Sequence, residues 1–476
     1  EMDSGTEKAL QPKHLKNLIP TGVAALDESI GGGLPRGSLI LLGGRAGTGK
    51  SLFASRFLYE GAAKYGETGI YVSFLEDRAA YYEFMENFGY DFAKLEEEGK
   101  FRFVGFPTLR EESVSTILAQ IIEELQRIQA KRLVIDSFSA ITTALTKRTE
   151  PRTALHHIFS KITRGTNCTT ILISERPTGL KPIGLDLGEF VADAIFILRH
   201  REFDGRLLRI LDIQKTKGHR VVTPRMLFTL NDGFEIYNPL KEPPVTPGAY
   251  EWKTIPDSDG KFSTGNKDLD SLLGGGYEKG SYVLIDIGEN VPDSVRHLLT
   301  NRLMLNFISQ LRGVTVVPRP DSNARKIKNA LAKHIGEDKI STFLRVFEKR
   351  PYTTEENITV PYEGVDAEVD YDYYVEAWKD LKEQTEGRPI LRILAEETDE
   401  YMYGVKGILA KAPQSVTRTA IHGDLSLAIA APHLECTKHL AQLANTHLRV
   451  REYRGYILLY GVKPRTDMHI AEIDLS

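Results

Sequence analysis

Residues 38–51 read SLILLGGRAGTGKS: a hydrophobic run, then a glycine-rich turn, then Lys50 and Ser51 at the head of a helical pattern. Glycines let backbone N–H groups converge on an anion, and a lysine at the end of such a turn reaches the outer phosphate oxygens of a nucleotide. The loop Gly44, Arg45, Ala46, Gly47, Thr48, Gly49, Lys50, Ser51 is therefore the candidate phosphate cradle, with the N–H groups from Ala46 to Ser51 lining it. Lys50 is expected on the β- and γ-phosphates and Ser51 on the metal, so the expected ligands are ATP and Mg2+.

The same frame recurs at an offset of 243 residues. TGVAALDESIGGGLPRGSLILLGGRAGTGKS (21–51) aligns without a gap on TGNKDLDSLLGGGYEKGSYVLIDIGENVPDS (264–294). Both copies keep Thr-Gly, Leu-Asp (Leu26-Asp27, Leu269-Asp270), three glycines and a Gly-Ser before the hydrophobic run. They part where a phosphate would sit: Gly44 becomes Ile287, Gly49 becomes Pro292 and Lys50 becomes Asp293. A proline has no N–H to offer, and a carboxylate repels a phosphate. One copy is expected to bind nucleotide and the other not to.

With 476 residues, the chain has room for two or three domains, and the repeat offset favours two of similar size. The reading places an ATPase domain at 1–240, a proline-rich linker at 241–261 and a degenerate copy at 262–476. Hydrophobic residues make up 41% and charged residues 26%, ordinary for a globular chain with real cores. A net charge of −4 supplies no general attraction to nucleic acid or an anionic membrane. Cys168 and Cys436 fall one in each copy, which argues against a disulfide framework and for a reducing cytoplasm. No apolar stretch is long enough to span a bilayer, and no signal peptide is read at the start.

In the first half, strand-like runs (38–42, 69–74, 101–104, 132–135, 169–173, 194–198, 207–213) alternate with helical patterns such as 51–65 and 113–129. That order predicts an α/β fold: a mainly parallel sheet flanked by helices, closed by an antiparallel hairpin across the turn 201–206. The second half repeats the plan loosely, with strands at 281–287, 313–317, 390–395 and 425–430. Its ending REYRGYILLYGVKPR mirrors REFDGRLLRILDIQKTK of the first half. The acidic, tyrosine-rich stretch 352–378 has no counterpart and is read as an elaborated connection running into a solvated helix.

Asp136 ends the apolar run 132–135 at a strand's carboxyl edge, where a metal-orienting acid belongs in an open α/β sheet. Glu76 follows the run 69–74 and is the candidate base for the attacking water; the bland alternative is a solvated acid at a helix start. Ser174, ending the run 169–173, is the candidate γ-phosphate sensor.

The phosphate loop, YVSFLEDRAAYYEFMENFGYDFAKLEEEGKFRF, KRLVIDSFSAI, TTILISERPTG and EFVADAIFILRHREFDGRLLRILDIQKTKGH together resemble the KaiC-like branch of the RecA superfamily. The likeness covers nearly all of residues 16–240; beyond 250 it is confined to the opening block and the final hairpin. It implies two tandem RecA-like P-loop domains, the second divergent, in a homo-oligomeric, hexameric ring with ATP between neighbours. The resemblance maps Lys50, Ser51 and Asp136 onto the family's nucleotide site. Where the family carries two adjacent glutamates, this chain has Leu75 and Glu76, which implies slow hydrolysis. The family's trans-acting Lys-x-Arg becomes Lys215-Thr216-Lys217, two point charges without the arginine fork. In the second copy the Glu76 position falls near Pro320, and no strand-ending aspartate can be matched. Autokinase activity belongs to the family's second domain and is not expected of a copy without the cradle.

His433, Cys436, His439 and His447 invite a metal reading, but their spacing fits a helix face poorly. The loops 146–152 and 178–186 lie where RecA recombinases place DNA-binding loops, yet nucleic acid is not favoured by the charge balance. The sequence thus points to a slow ATPase acting as a nucleotide-dependent switch, its second domain stabilising the assembly or docking an unidentified protein partner. The alternatives are an accessory ATPase of recombination or repair, similar to RecA and RadA paralogues, and a regulator of the GvpD type with little hydrolysis.

Overall fold

The computed structural model describes residues 17–106, 114–145, 157–175, 191–218, 220–231, 233–240, 250–350, 354–355 and 357–471. The chain divides into two compact units, Glu1–Asn238 and Pro239–Ser476, each built on a nine-stranded sheet. The sheet of the first unit contains β1 (Leu39–Gly44), β2 (Gly69–Ser73), β3 (Phe101–Gly105), β4 (Arg132–Asp136), β5 (Thr169–Glu175), β6 (Ala194–Phe203), β7 (Arg206–Thr216), β8 (Arg225–Thr229) and β9 (Glu235–Tyr237). Their order across the sheet is β9-β8-β7-β6-β1-β5-β4-β2-β3, parallel from β3 to β6 and antiparallel beyond. The hairpin read from the sequence is β6 and β7; β8 and β9 extend it by two short strands that the sequence did not announce.

Helices cover both faces, so the central strands are apolar throughout: all six residues of β1 are buried. Helix α1 (Lys50–Tyr65) buries Leu52, Phe53, Phe57, Leu58 and Ala62 against one face and stops at Gly66, whose left-handed backbone (φ 64°) suits glycine. Arg132 lies wholly buried beneath α1, donating Nε to Glu67 (2.7 Å) and Nη1 to the Phe57 carbonyl (2.7 Å). Gly61 makes that possible, because a Cβ there would overlap the guanidinium. Helix α2 (Arg78–Glu86) follows β2, capped by Asp77, which accepts from the Ala80 N–H (2.9 Å).

The second unit contains β10 (Tyr282–Ile287), β11 (Val314–Val317), β12 (Leu344–Lys349), β13 (Thr359–Tyr362), β14 (Leu391–Ala395), β15 (Leu425–Ala430), β16 (Thr446–Tyr453), β17 (Tyr456–Lys463) and β18 (His469–Ala471). Their order, β13-β12-β11-β14-β15-β10-β16-β17-β18, follows the first sheet from β12 to β18 as β3 to β8, with β10 in the place of β1; β13 is an added parallel edge strand, and β9 has no counterpart. Helix α3 (Asp293–Ser309) follows β10 as α1 follows β1, and α4 (Ala324–Leu331) follows β11.

The motifs shared by the two copies have a structural reason. Asp27 accepts the Thr21 N–H (2.8 Å) and Asp270 the Thr264 N–H (2.7 Å), closing the same turn in each unit. The third glycine of each triplet, Gly33 (φ 134°) and Gly276 (φ 114°), lies against the backbone carbonyl of Ile19 or Phe262, where a side chain has no room. These residues pin the segment before the central strand in both units, whether or not the cradle glycines follow.

The acidic, tyrosine-rich stretch differs from its reading. Its described part forms β13 and then α5 (Ala367–Gln384), which buries Tyr371, Tyr374, Trp378 and Leu381 on one face rather than standing solvated. Trp378 donates its indole N–H to the buried Asp424 (2.9 Å), and Lys382 donates to the same carboxylate (2.8 Å). Helix α6 (Glu396–His422), which follows β14, breaks its helical geometry at Gly404.

Gly61→Ala is expected to destabilise the first unit by about 1–3 kcal/mol, since Arg132 is held on several sides and cannot retreat. Urea unfolding measures this; an unchanged midpoint would show that the guanidinium moves freely.

Candidate functional site: a phosphate loop at the carboxyl edge of the first sheet

In an open α/β sheet, ligands bind beyond the carboxyl ends of the strands. Pairing in register brings Gly43 beside Ser174, Gly44 beside Glu175, and Ser73 beside Asp136, so β1, β5, β4 and β2 all deliver their ends to one edge. The loop between β1 and α1 turns through Gly47 (φ 73°) and Gly49 (φ 96°), both left-handed. Gly44 has no space for a side chain: a Cβ would stand 2.7 Å from both the Leu198 carbonyl oxygen and Thr48 Oγ1. The loop closes on itself through the Arg45 carbonyl, which accepts from Thr48 Oγ1 (2.8 Å) and Lys50 Nζ (2.8 Å). Arg45 and Ala46 are exposed at the tip of the loop. Burial pushes the Lys50 ammonium below its ordinary pKa, opposed by the negative charges of Glu175 and Asp136.

Ser51 Oγ donates to Asp136 Oδ2 (2.7 Å), so the two expected metal-site residues are already in contact. The Tyr71 hydroxyl donates to the same oxygen (2.6 Å). The sequence reading missed Tyr71, although its lone phenol in an aliphatic strand was the signal available. Ser174 is fully buried, and its Oγ has no hydrogen-bond partner among the described residues. An orphaned hydroxyl beside a glycine cradle, a lysine and a Ser–Asp pair fits a phosphate with its magnesium.

Glu76 sits in the turn after β2, its N–H donated to Ser73 Oγ (2.9 Å). The helix cap belongs to Asp77, which leaves Glu76 without that task. Burial raises the Glu76 carboxyl above its ordinary pKa, and the charges of Asp136 and Asp77 add to the rise. Leu75, where the resemblance calls for a glutamate, is 76% exposed. Arg209 on β7, also missed, donates to the Gly47 carbonyl (3.2 Å).

Lys215 and Lys217 are not brought to this cradle. Lys215 pairs with Ile195 near the start of β6, whereas Gly44 pairs with Leu198 farther along the same strand. They therefore lie toward the opposite end of the sheet from their own phosphate loop. Lys217 Nζ is 3.4 Å from Asp193, whose other oxygen accepts the Leu39 N–H (3.0 Å).

The second unit reproduces the frame and fills the cradle. Ile287 occupies the position of Gly44, and no residue from 287 to 293 has positive φ. Pro292 (φ −58°) replaces the left-handed Gly49 before the helix. Asp293, in the place of Lys50, accepts a hydrogen bond from Arg319 Nη1 (2.6 Å), which holds its carboxyl below the ordinary pKa. Asp286, in the place of Gly43, forms a bidentate pair with Arg451 (3.1 and 2.8 Å). Register puts Ala395 where Asp136 stands, because Ile173 links Leu42 to Asp136 as Ile429 links Ile285 to Ala395. Val317 likewise matches Val72, so the Glu76 position falls at Asp321, one residue past the Pro320 read from the sequence.

Of the histidine–cysteine group, Cys436 is buried and His433 Nδ1 lies 3.1 Å from Glu289. Among the described residues no three His, Cys, Asp or Glu side chains are grouped to hold a metal. The recombinase-like loops 146–152 and 178–186 lie outside the described residues. No helix among the described residues is long and apolar enough to cross a membrane.

The fold and cradle define a P-loop protein of the RecA type. Residues 19–241 match the family described as "ATPase: KaiC", and residues 251–474 match "GvpD basic region 2". Residues 19–241 thus form a KaiC-like ATPase domain. The chain is 33% identical over 236 residues to UPF0273 protein MJ1359 of Methanocaldococcus jannaschii, covering 46% of this chain and 96% of that protein. It is 32% identical over 273 residues to the circadian clock oscillator protein KaiC of Parathermosynechococcus lividus, covering 56% of this chain and 49% of that one. The likeness to Protein GvpD2 of Halobacterium salinarum is weaker in identity (25%) and longer, over 468 residues, 92% of this chain and 91% of that protein. The match thus spans about half the length of the cyanobacterial clock protein and nearly all of the haloarchaeal one.

Gly44→Ala is expected to weaken ATP binding at least about tenfold, since the added methyl displaces Thr48 or the Leu198 strand. Equilibrium dialysis against labelled ATP checks this; unchanged affinity would mean that the approach of β6 to the loop does not shape the cradle.

Proposed function

We propose that this chain is a slow ATPase that acts as a nucleotide-dependent regulatory switch, with the chemistry confined to the first unit. The observation that carries the reading is the pairing of an intact cradle, Ser51–Asp136 included, with a second copy whose cradle is closed by its own ion pairs. Bound magnesium supplies positive charge to the phosphate oxygens. Ser51 and Asp136 hold it, Asp136 being oriented by Tyr71. Lys50 leaves the Arg45 carbonyl for the β- and γ-phosphates, and Ser174 turns its free hydroxyl toward the γ-phosphate. Glu76 takes the proton of the attacking water, and its raised pKa makes it a better base than an ordinary carboxylate.

Lys215 and Lys217, remote from their own loop, serve a neighbour's γ-phosphate in a homo-oligomeric ring. That arrangement couples hydrolysis to assembly. The second unit contributes no turnover and no autokinase activity; it stabilises the assembly or docks a protein partner. A second reading, a GvpD-type regulator that binds nucleotide and barely hydrolyses it, is favoured by the likeness over 92% of the chain to Protein GvpD2 and by Leu75 in place of an acid.

Glu76→Gln is expected to lower ATP turnover about 10²-fold while leaving ATP affinity nearly unchanged. As a base Glu76 must be ionised, so wild-type turnover falls as pH drops through its raised pKa, and the residual rate of Glu76→Gln loses that dependence. Equal, near-zero rates for both proteins would favour the pure binder. Mixing Lys50→Ala subunits with Lys215→Ala/Lys217→Ala subunits should restore turnover that neither shows alone. No recovery in mixed assemblies would rule out action in trans.

A further inference from the structure

The second unit has an open cavity of about 330 Å³ between α3, α4 and the carboxyl ends of β11 and β14. It lies just behind the closed cradle and exists because large side chains are missing. In the first unit the equivalent region holds Tyr71 and Tyr81, ring centroids 4.4 Å apart, beside α1 with its Phe57. Strand register sets Val316 in the place of Tyr71, and the N-caps Asp77 and Asn323 set Ile327 in the place of Tyr81. Thr300 stands where α1 carries Phe57. All three replacements line the cavity.

The cavity has an apolar floor and a mouth with two arginines. Met304, Val316 and Ile327 supply the floor. Arg319 gives Nη1 to Asp293 (2.6 Å), whereas its buried Nε has no hydrogen-bond acceptor among the described residues and makes only longer ion pairs, to Glu397 at 3.4 Å and Asp321 at 3.5 Å. Arg296, whose side chain is 9% exposed, makes one long hydrogen bond to the Gly288 carbonyl (3.4 Å), with Asp293 and Glu397 at 3.9 and 4.0 Å. The mouth thus keeps the Arg319 Nε–H in reserve, and its three cations, Arg296, Arg319 and Lys326, are balanced by Asp293, Asp321 and Glu397. Such a balance accepts one negative charge and opposes several, which excludes a nucleotide triphosphate.

We propose that this cavity binds a small monoanionic amphiphile, an organic acid whose anionic group sits on Arg296 and Arg319 and whose apolar body lies on Met304, Val316 and Ile327. Pockets of this size take ligands by an apolar lining with a few convergent polar groups, and paired guanidiniums suit a planar carboxylate. The assignment stands apart from the first unit's ATPase chemistry and holds whether or not that unit hydrolyses ATP.

Titration of the full chain with anilinonaphthalenesulfonate, an apolar monoanion whose emission rises on burial, tests it. Saturable binding is expected, displaced by octanoate and not by octylammonium or Mg2+-ATP. Val316→Tyr, which returns the ring carried by the first unit, should weaken binding at least about tenfold, and Arg319→Gln should do the same by removing a charged partner. Tyr401→Ser, at an exposed surface position, and Lys50→Ala should leave it unchanged. Non-saturable binding, displacement by octylammonium as readily as by octanoate, or full affinity in Arg319→Gln would overturn the proposal. If Val316→Tyr shifts the urea midpoint, Arg319→Gln with an unshifted midpoint decides alone.

Discussion

The close approach of Leu198 and Thr48 to the bare α-carbon of Gly44, 2.7 Å from where a side chain would begin, is the constraint on which the first unit's site depends. It lets β6 lie against β1 while the loop still folds back through two left-handed glycines. With the loop so placed, α1 starts with Lys50 and Ser51 facing the strand ends, and Ser51 meets Asp136 across the sheet edge. Tyr71 then joins from β2. Each contact is a consequence of strand register, and register is enforced by strands buried on both faces.

The second unit shows how much of this architecture is independent of the glycine cradle. Its sheet keeps the same order over eight strands, and Asp270 and Gly276 hold the approach to the central strand as Asp27 and Gly33 do. Once Ile287 takes the close-packed position, the loop loses its glycine turns and the charges exchange places: Asp293 for Lys50, with Arg319 opposite. These substitutions agree with one another. A carboxylate alone would leave an unpaired charge near buried groups, and an arginine alone would do the same with opposite sign.

Much of this was legible in the sequence because glycine, proline and charge have local meanings. The cradle, its degenerate copy, the parallel core strands and the strand-ending Asp136 all follow from residue type and order. Tyr71 and Arg209 were not legible, because their partners, Asp136 and Gly47, are chosen by register across the sheet and not by spacing along the chain. The strand Arg225–Thr229, next to the edge of its sheet, and the edge strand Thr359–Tyr362 are short, and the second contains Pro361, so neither gives a clear alternating pattern. The acidic helix Ala367–Gln384 was misread from composition alone. Its spacing of Tyr371, Tyr374, Trp378 and Leu381 traces one helical face, and that face is core.

The proposed function divides the work between the two units, giving chemistry to the first and shape and recognition to the second. The most direct measurement of that division is the number of ATP equivalents bound per chain at saturation with Mg2+. One equivalent, lost entirely in Lys50→Ala, is the result expected. Two equivalents, or one that survives Lys50→Ala, would contradict the account.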